Sequence, residues 1–286
     1  MKNKYTIKEL LDTVDKSAEV YKRFANEFTK DDIMYAINKN MDVDELVKYI
    51  KDKFDIELIK YTIDKKVGLK SLYKYLGDKF DKELIKYAID KEADLENLYK
   101  YLRNKFTKED IKYAIDKSRE YLDPDDISEY LGDKFDKELI KYAIKKDSDF
   151  AEYLVEYAKD KFDKELIKYS IYAIVKIHSS EEILQYLYKN LYDKFDKELI
   201  KYAIDITEYK SDLYRILGDK FDKELIKYAI DKKAKLKILY FYLVDKFDEE
   251  LIRYAYDKDA DVYSLYKELG NRFPKDLKKK YREEYE

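Results

Sequence analysis

The chain has 286 residues, enough for two compact domains or one extended array, and 43% of them are charged against 45% hydrophobic. That is too apolar for disorder and, with only 5 Gly and 2 Pro, too poor in turn residues for a β-sandwich or barrel. The formal charge of -3, from 60 basic and 63 acidic residues, supplies no global field toward nucleic acid or an anionic membrane, and the absence of cysteine excludes disulfides, zinc thiolates and thiol nucleophiles.

The chain opens MKNKYTIKELL, which lacks the apolar core of a signal peptide. Thr6-Ile-Lys-Glu9 is a capping box, and Ser17 to Phe24 reads as a second helix. Residues 1–27 are therefore expected to form an N-terminal cap hairpin.

A repeat follows. DKFDKELIKYAI starts at Asp78 and recurs unchanged at Asp133, Asp193 and Asp219. Its Phe falls at Phe28, Phe54, Phe80, Phe106, Phe135, Phe162, Phe195, Phe221, Phe247 and Phe273, at spacings of 26, 26, 26, 29, 27, 33, 26, 26 and 26. A fixed period of this size signals stacked structural units. Residues 28–272 are assigned to the repeats.

Each repeat reads as two helices. Asp81 or its equivalent (Thr29 and Thr107 in two repeats) takes the N-cap position. Phe80 and Ile85 have the spacing of a hydrophobic staple, and Glu83 suits the helix dipole. Leu84, Ile85, Ala88 and Ile89 form one apolar stripe, with Lys82, Lys86 and Asp90 opposite. In the second helix, capped by Asp94, Leu95, Leu98, Tyr99 and Leu102 repeat as a buried face. Gly77, Gly132, Gly218 and Gly270 stand where a left-handed C-cap is expected. Helices of about ten residues do not persist alone, so burial must come from stacking.

The three irregular spacings place extra residues between first and second helices, near Ser118 to Asp126, Asp147 to Ala151 and Tyr172 to Glu181. The last motif, RFPKDLKKKYREEYE, has Pro274 at the cap and Lys278 and Arg282 where Ile belongs, so 273–286 reads as a polar C-terminal cap helix. The expected fold is all-α: one elongated, right-handed α-solenoid of about ten hairpins spanning residues 1–286. The stretch AIDKEADLENLYKYL, Ala88 to Leu102, resembles the helix pair of an ankyrin repeat. The T-P-L-H signature, the β-turn finger and the Trp-Leu-Gly pattern of tetratricopeptide repeats are all missing, so no functional residue is carried over.

Catalytic signals are sparse. The one histidine, His178, continues the stripe Leu166, Ser170, Ile174 near the end of a lengthened first helix and reads as a packed residue at a helix C-terminus. Ser179-Ser-Glu-Glu182 reads as a capping box, not a nucleophile. Asp257-Lys-Asp259-Ala-Asp261 with Glu268 imitates a calcium loop but has Val262 where the turn glycine belongs. Asp123-Pro-Asp125-Asp126 is a cap with Pro at the first helical position. No phosphate loop is written. The chain is read as a non-enzyme with no metal and no cofactor.

Two binding features stand out. Lys-Tyr recurs once per repeat, at Lys60-Tyr61, Lys86-Tyr87, Lys112-Tyr113, Lys141-Tyr142, Lys168-Tyr169, Lys201-Tyr202 and Lys227-Tyr228. Such a ladder could track a single strand with bases stacked on rings. The competing reading is that each Lys is neutralised by the Glu three residues before it and, where present, an Asp four after, with Tyr as boundary packing. The second feature is the irregular middle, where Tyr121, Phe150 and Tyr172 would be aromatic anchors.

The functional expectation is a protein-binding scaffold or inhibitor with Tyr121, Asp125, Phe150, Tyr172, His178, Lys141, Tyr142, Lys168 and Tyr169 at the partner surface. A single-stranded nucleic-acid binder is the alternative and a self-assembling structural protein the third. The longest apolar run, Ile238 to Val244, is too short to span a bilayer, so a cytoplasmic or host-intracellular setting without membrane association is expected. The excess of Lys, Ile, Tyr, Asp and Asn fits a low-GC genome or its phage.

Overall fold

A computed structural model describes residues 5–13, 17–121, 124–177, 181–207, 210–258 and 262–285. All regular structure among them is helical. The helices group into two compact units, residues 1–147 and 148–286.

The first unit contains α1 (Ile7–Thr13), α2 (Ser17–Phe24), α3 (Lys30–Asn38), α4 (Val43–Ile50), α5 (Ile56–Lys65), α6 (Leu69–Leu76), α7 (Lys82–Asp90), α8 (Leu95–Leu102), α9 (Lys108–Tyr121), α10 (Pro124–Leu131) and α11 (Lys137–Lys146). Odd-numbered helices pack on odd ones and even on even, each against the next in its row. The second unit contains α12 (Phe150–Tyr157), α13 (Lys164–Ile177), α14 (Glu181–Asn190), α15 (Lys197–Ile206), α16 (Lys210–Leu217), α17 (Lys223–Asp231), α18 (Leu236–Leu243), α19 (Glu249–Asp257), α20 (Val262–Leu269) and α21 (Lys275–Tyr285). Its rows run α12–α14–α16–α18–α20 and α13–α15–α17–α19.

The motif builds this locally. Asp81, Asp136, Asp196, Asp222 and Asp248 sit in extended backbone and accept the amide N–H three residues on, satisfying one free donor of the first turn. Thr6 and Glu9 make both bonds of the capping box. Leu84, Ile85, Ala88 and Ile89 are buried, as are Leu95, Leu98, Tyr99 and Leu102. Each motif Phe is buried, and where a Tyr precedes it by seven residues the rings meet edge to face: Tyr73–Phe80 at 5.4 Å, Tyr99–Phe106 at 5.3 Å and Tyr214–Phe221 at 5.4 Å. The Tyr73 hydroxyl donates to the Ala93 carbonyl of the next hairpin.

Three expectations are corrected. Gly77, Gly132 and Gly218 are not left-handed caps: the second helix runs on into one 3-10 turn, which keeps Gly77 at φ -51. Only Gly270, at φ +51, fits the expectation. The left-handed residues lie instead in the tight turn from first to second helix, at Asn40, Asp42, Lys66, Gly68, Glu92, Asp94 and Lys233. Secondly, the extra residues near Ser118 are taken up largely by helix, since α9 has 14 residues against 9 in α7; α13, also of 14 residues, is the lengthened first helix expected from the sequence. Thirdly, Phe150 opens α12 with 0% exposure; the residue before it continues the turn and drives the ring into the core.

Candidate functional site

The Lys-Tyr ladder is the most regular feature of the first-helix surface, and its partners lie in neighbouring hairpins. In the second unit, Lys201 bonds Glu224 at 2.6 Å and Lys227 bonds Glu250 at 2.6 Å. Lys168 bonds Glu198 at 2.9 Å. In the first unit Lys112 reaches Glu138 at 3.3 Å. The carboxylate three residues before the Lys, in its own helix, is not the partner. This overturns the expected within-helix neutralisation: stacking brings the next copy's first turn closer than the helix's own.

A second lysine joins each acid. Lys197, at the first helical position, meets Asp222 at 2.5 Å and Glu224 at 2.7 Å. Lys223 does the same with Asp248 and, at 2.8 Å, Glu250; Lys108 reaches Asp136 at 2.9 Å and Glu138 at 2.5 Å. The paired lysines hold Glu138, Glu198, Glu224 and Glu250 below the ordinary carboxylate range.

The tyrosines point the other way along the row. Tyr87 donates its hydroxyl to Asp64 at 2.8 Å, Tyr113 to Asp90 at 2.5 Å, Tyr142 to Asp116 at 2.7 Å, Tyr228 to Asp205 at 2.7 Å and Tyr254 to Asp231 at 2.9 Å. A lysine one turn after the Tyr closes the contact: Lys91–Asp64 is 2.9 Å and Lys232–Asp205 is 2.7 Å. The ring face is also covered, with Lys86 4.9 Å from the Tyr113 centroid and Lys201 5.3 Å from that of Tyr228. The hydrogen bond to Asp90 pushes the Tyr113 phenol up to about 12.

The motif's other lysine fastens the loops. Lys79 donates to the carbonyls of Lys51 at 2.9 Å and Phe54 at 2.7 Å; Lys105, Lys134, Lys194 and Lys246 repeat this on the preceding hairpin. At the C-terminal end Arg253 grips Asp276 of α21 through two nitrogens, at 2.7 and 3.0 Å.

The nominated partner residues separate on inspection. Tyr142 is half-buried between Lys112 and Lys146, each 5.3 Å from its centroid, with its hydroxyl on Asp116. Lys168 is held by Glu198, and lies 5.4 Å from the Tyr202 centroid. Lys141 and Tyr169 are half-buried on α11 and α13. Asp125 is half-buried in the first turn of α10. Tyr172 is 47% exposed on α13, whereas Phe150 offers no surface for an anchor. Tyr121 ends α9. His178 and the Ser179 cap lie outside the described residues, as do Asp123 and Asp259 to Asp261.

Sequence reading missed the direction of the bonds. The signal was there in principle: Lys201 to Glu224 and Tyr87 to Asp64 both span 23 residues, an in-helix step of three offset by one period. It also missed a second Lys-Tyr series on the other row, at Lys48-Tyr49, Lys74-Tyr75 and Lys100-Tyr101. Among the described residues no helix is long and apolar enough to cross a membrane, and no cluster of three or more potential metal ligands occurs. No family model, curated protein or solved structure matches the chain.

Proposed function

We propose that the chain is a non-enzymatic protein-binding scaffold or inhibitor, its hairpins stacked as an elongated right-handed α-solenoid. The observation that carries this reading is the neighbour-to-neighbour network of the first-helix row. Lys201, Lys227, Glu224 and Glu250, and likewise Tyr87, Tyr228, Asp64 and Asp205, are bonded to the next or the preceding repeat. A surface fixed in this way is ordered before a partner arrives, which lowers the entropy lost on binding. The shifted protonation equilibria of its carboxylates trace to those same pairs, so they have a structural cause and need no catalytic one.

The network also bears on the nucleic-acid alternative. Bases stack on open rings, whereas the first-row rings of Tyr113, Tyr142 and Tyr228 carry lysines on their faces. The long helices α9 and α13 each interrupt the uniform repeat of their own unit and give a partner a fixed place along it; Tyr121 ends α9, Asp125 lies in the first turn of α10 and Tyr172 is on α13. An inhibitor or host-interaction protein of a low-GC microbe or its phage is the setting that composition favours.

The test is affinity capture from the native cell, mass spectrometry, and reconstitution with the purified partner. A stoichiometric protein complex that survives nuclease supports the reading. A complex that nuclease dissolves and moderate salt weakens steeply would replace it with the nucleic-acid alternative.

A further inference from the structure

The first-helix row is spent on internal bonds; part of the second-helix row is not. On α4, α6 and α8, Lys48-Tyr49, Lys74-Tyr75 and Lys100-Tyr101 recur once per helix, each lysine exposed and each ring half-buried. Lys48 is paired with its own Glu45 at 2.9 Å. Among the described residues Lys70, Lys74 and Lys100 have no carboxylate partner, and the hydroxyls of Tyr75 and Tyr101 make no hydrogen bond. Between those two rings lies a cavity of 240 Å³ lined also by Lys74, Asp78 and Asn104. The row changes sign at α10, where Glu129 precedes Tyr130 and the Tyr130 hydroxyl goes to Glu96 at 3.2 Å.

We propose that this row docks an acidic segment of a partner protein in the polyproline II conformation, with a carboxylate at every third residue. The proposal rests on the protein-binding reading above and names its surface. One observation and two general spacings support it. The unpaired cations of α6 and α8 call for negative charge in the partner. Packed helices lie about 8–10 Å apart. A polyproline II chain brings the same face round every three residues, after about 9 Å, so carboxylates three apart meet lysines on successive helices. The intervening residues, proline foremost, then lie on the Tyr101 ring, which has no lysine over it among the described residues, whereas Lys74 stands 5.1 Å from the Tyr75 centroid and shares that ring's face. Asp78 in the cavity wall disfavours a strand with a phosphate at every step, and Glu129 on α10 limits how far an acidic segment extends.

The experiment is fluorescence anisotropy with the full chain and a labelled peptide of Pro-Pro-Glu triplets. Pro-Pro-Lys triplets, poly-glutamate of equal charge and an oligothymidylate serve as comparators. Pro-Pro-Glu is expected to bind tightest. Lys74→Glu with Lys100→Glu, both at exposed positions, should weaken it about tenfold or more with the circular dichroism unchanged. Lys237→Glu, the same kind of charge change on α18, should leave it within about twofold. Equal binding by the double variant, no binding by the wild type, or tighter binding of poly-glutamate or oligothymidylate would overturn the proposal. A wild-type chain that reconstitutes with a purified protein partner yet ignores the triplet peptide would sink this surface assignment and leave the scaffold reading standing.

Discussion

Lys227 bonds Glu250 of the following hairpin at 2.6 Å, although Glu224 lies three residues before it in its own helix; Glu224 is bonded by Lys201 of the preceding hairpin, also at 2.6 Å. This relationship explains why the solvent-side letters of DKFDKELIKYAI are repeated as faithfully as the core letters. A surface whose partner is the next copy of itself must change on both sides at once. Identical repeats satisfy that condition automatically, as one patch meets a different patch of an identical neighbour.

The network should make the fold acid-labile. Lysine contacts are the leading cause that holds Asp64, Asp231, Asp248, Glu224 and Glu250 below their ordinary values. A group whose folded pKa is depressed contributes stability above its unfolded pKa, and that contribution disappears as pH falls through the folded value. Urea midpoints followed by circular dichroism should therefore hold steady down to about pH 5 and fall below about pH 4.5. Midpoints unchanged to pH 3 would contradict the assigned pairs.

Alkali gives the opposite sign. Tyr113 has its pKa raised to about 12, first by the hydrogen bond to Asp90. Its contribution is full below the ordinary phenol value of about 10 and is lost as pH rises toward the folded value. In ultraviolet titration, Asp90→Ala should move one tyrosine back toward about 10. A titration curve unaltered by that substitution would show that Tyr113 is not held as described.

Damage should stay local. Phe135 is 0% exposed at the junction of α10 and α11, and truncation to alanine should cost about 3–5 kcal/mol. Hydrogen exchange should quicken in α9 to α11 far more than in α3 and α5. An equal rise in every helix would mean that coupling is not confined to neighbours.

Two glycines should behave differently. Gly68 has φ +58, and a Cβ there would meet Val43 Cγ1 at 2.6 Å, so Gly68→Ala combines left-handed strain with a clash and should cost about 2 kcal/mol or more. Gly77 is right-handed and a Cβ would meet only the end of the Leu102 side chain, at 3.0 Å. Gly77→Ala should be milder by thermal melting; the reverse order would contradict the turn assignment.

Local physics was legible in the sequence because its partners are close in the chain. Asp81, the buried stripe from Leu84 to Ile89, and the α1 capping box all lie where spacing places them. What was not legible depends on a neighbour. Lys201 has a glutamate at three residues and another at 23, and only stacking decides between them. Gly77 invites a left-handed cap, yet the continuing 3-10 turn leaves it right-handed. Phe150 resembled an exposed anchor because the turn that buries it has no distinctive residues. The second-row tyrosines were hidden by the same dipeptide, Lys-Tyr, occurring on both helices of a hairpin.

The central claim is that the motif's charges pair between repeats, and a double-mutant cycle tests it most directly. Alanine substitutions at Lys227 and Glu250, singly and together, should be non-additive in urea denaturation at low salt. The same cycle on Lys227 and Glu224 should be additive within error. Coupling between Lys227 and Glu224, with none between Lys227 and Glu250, would contradict the account.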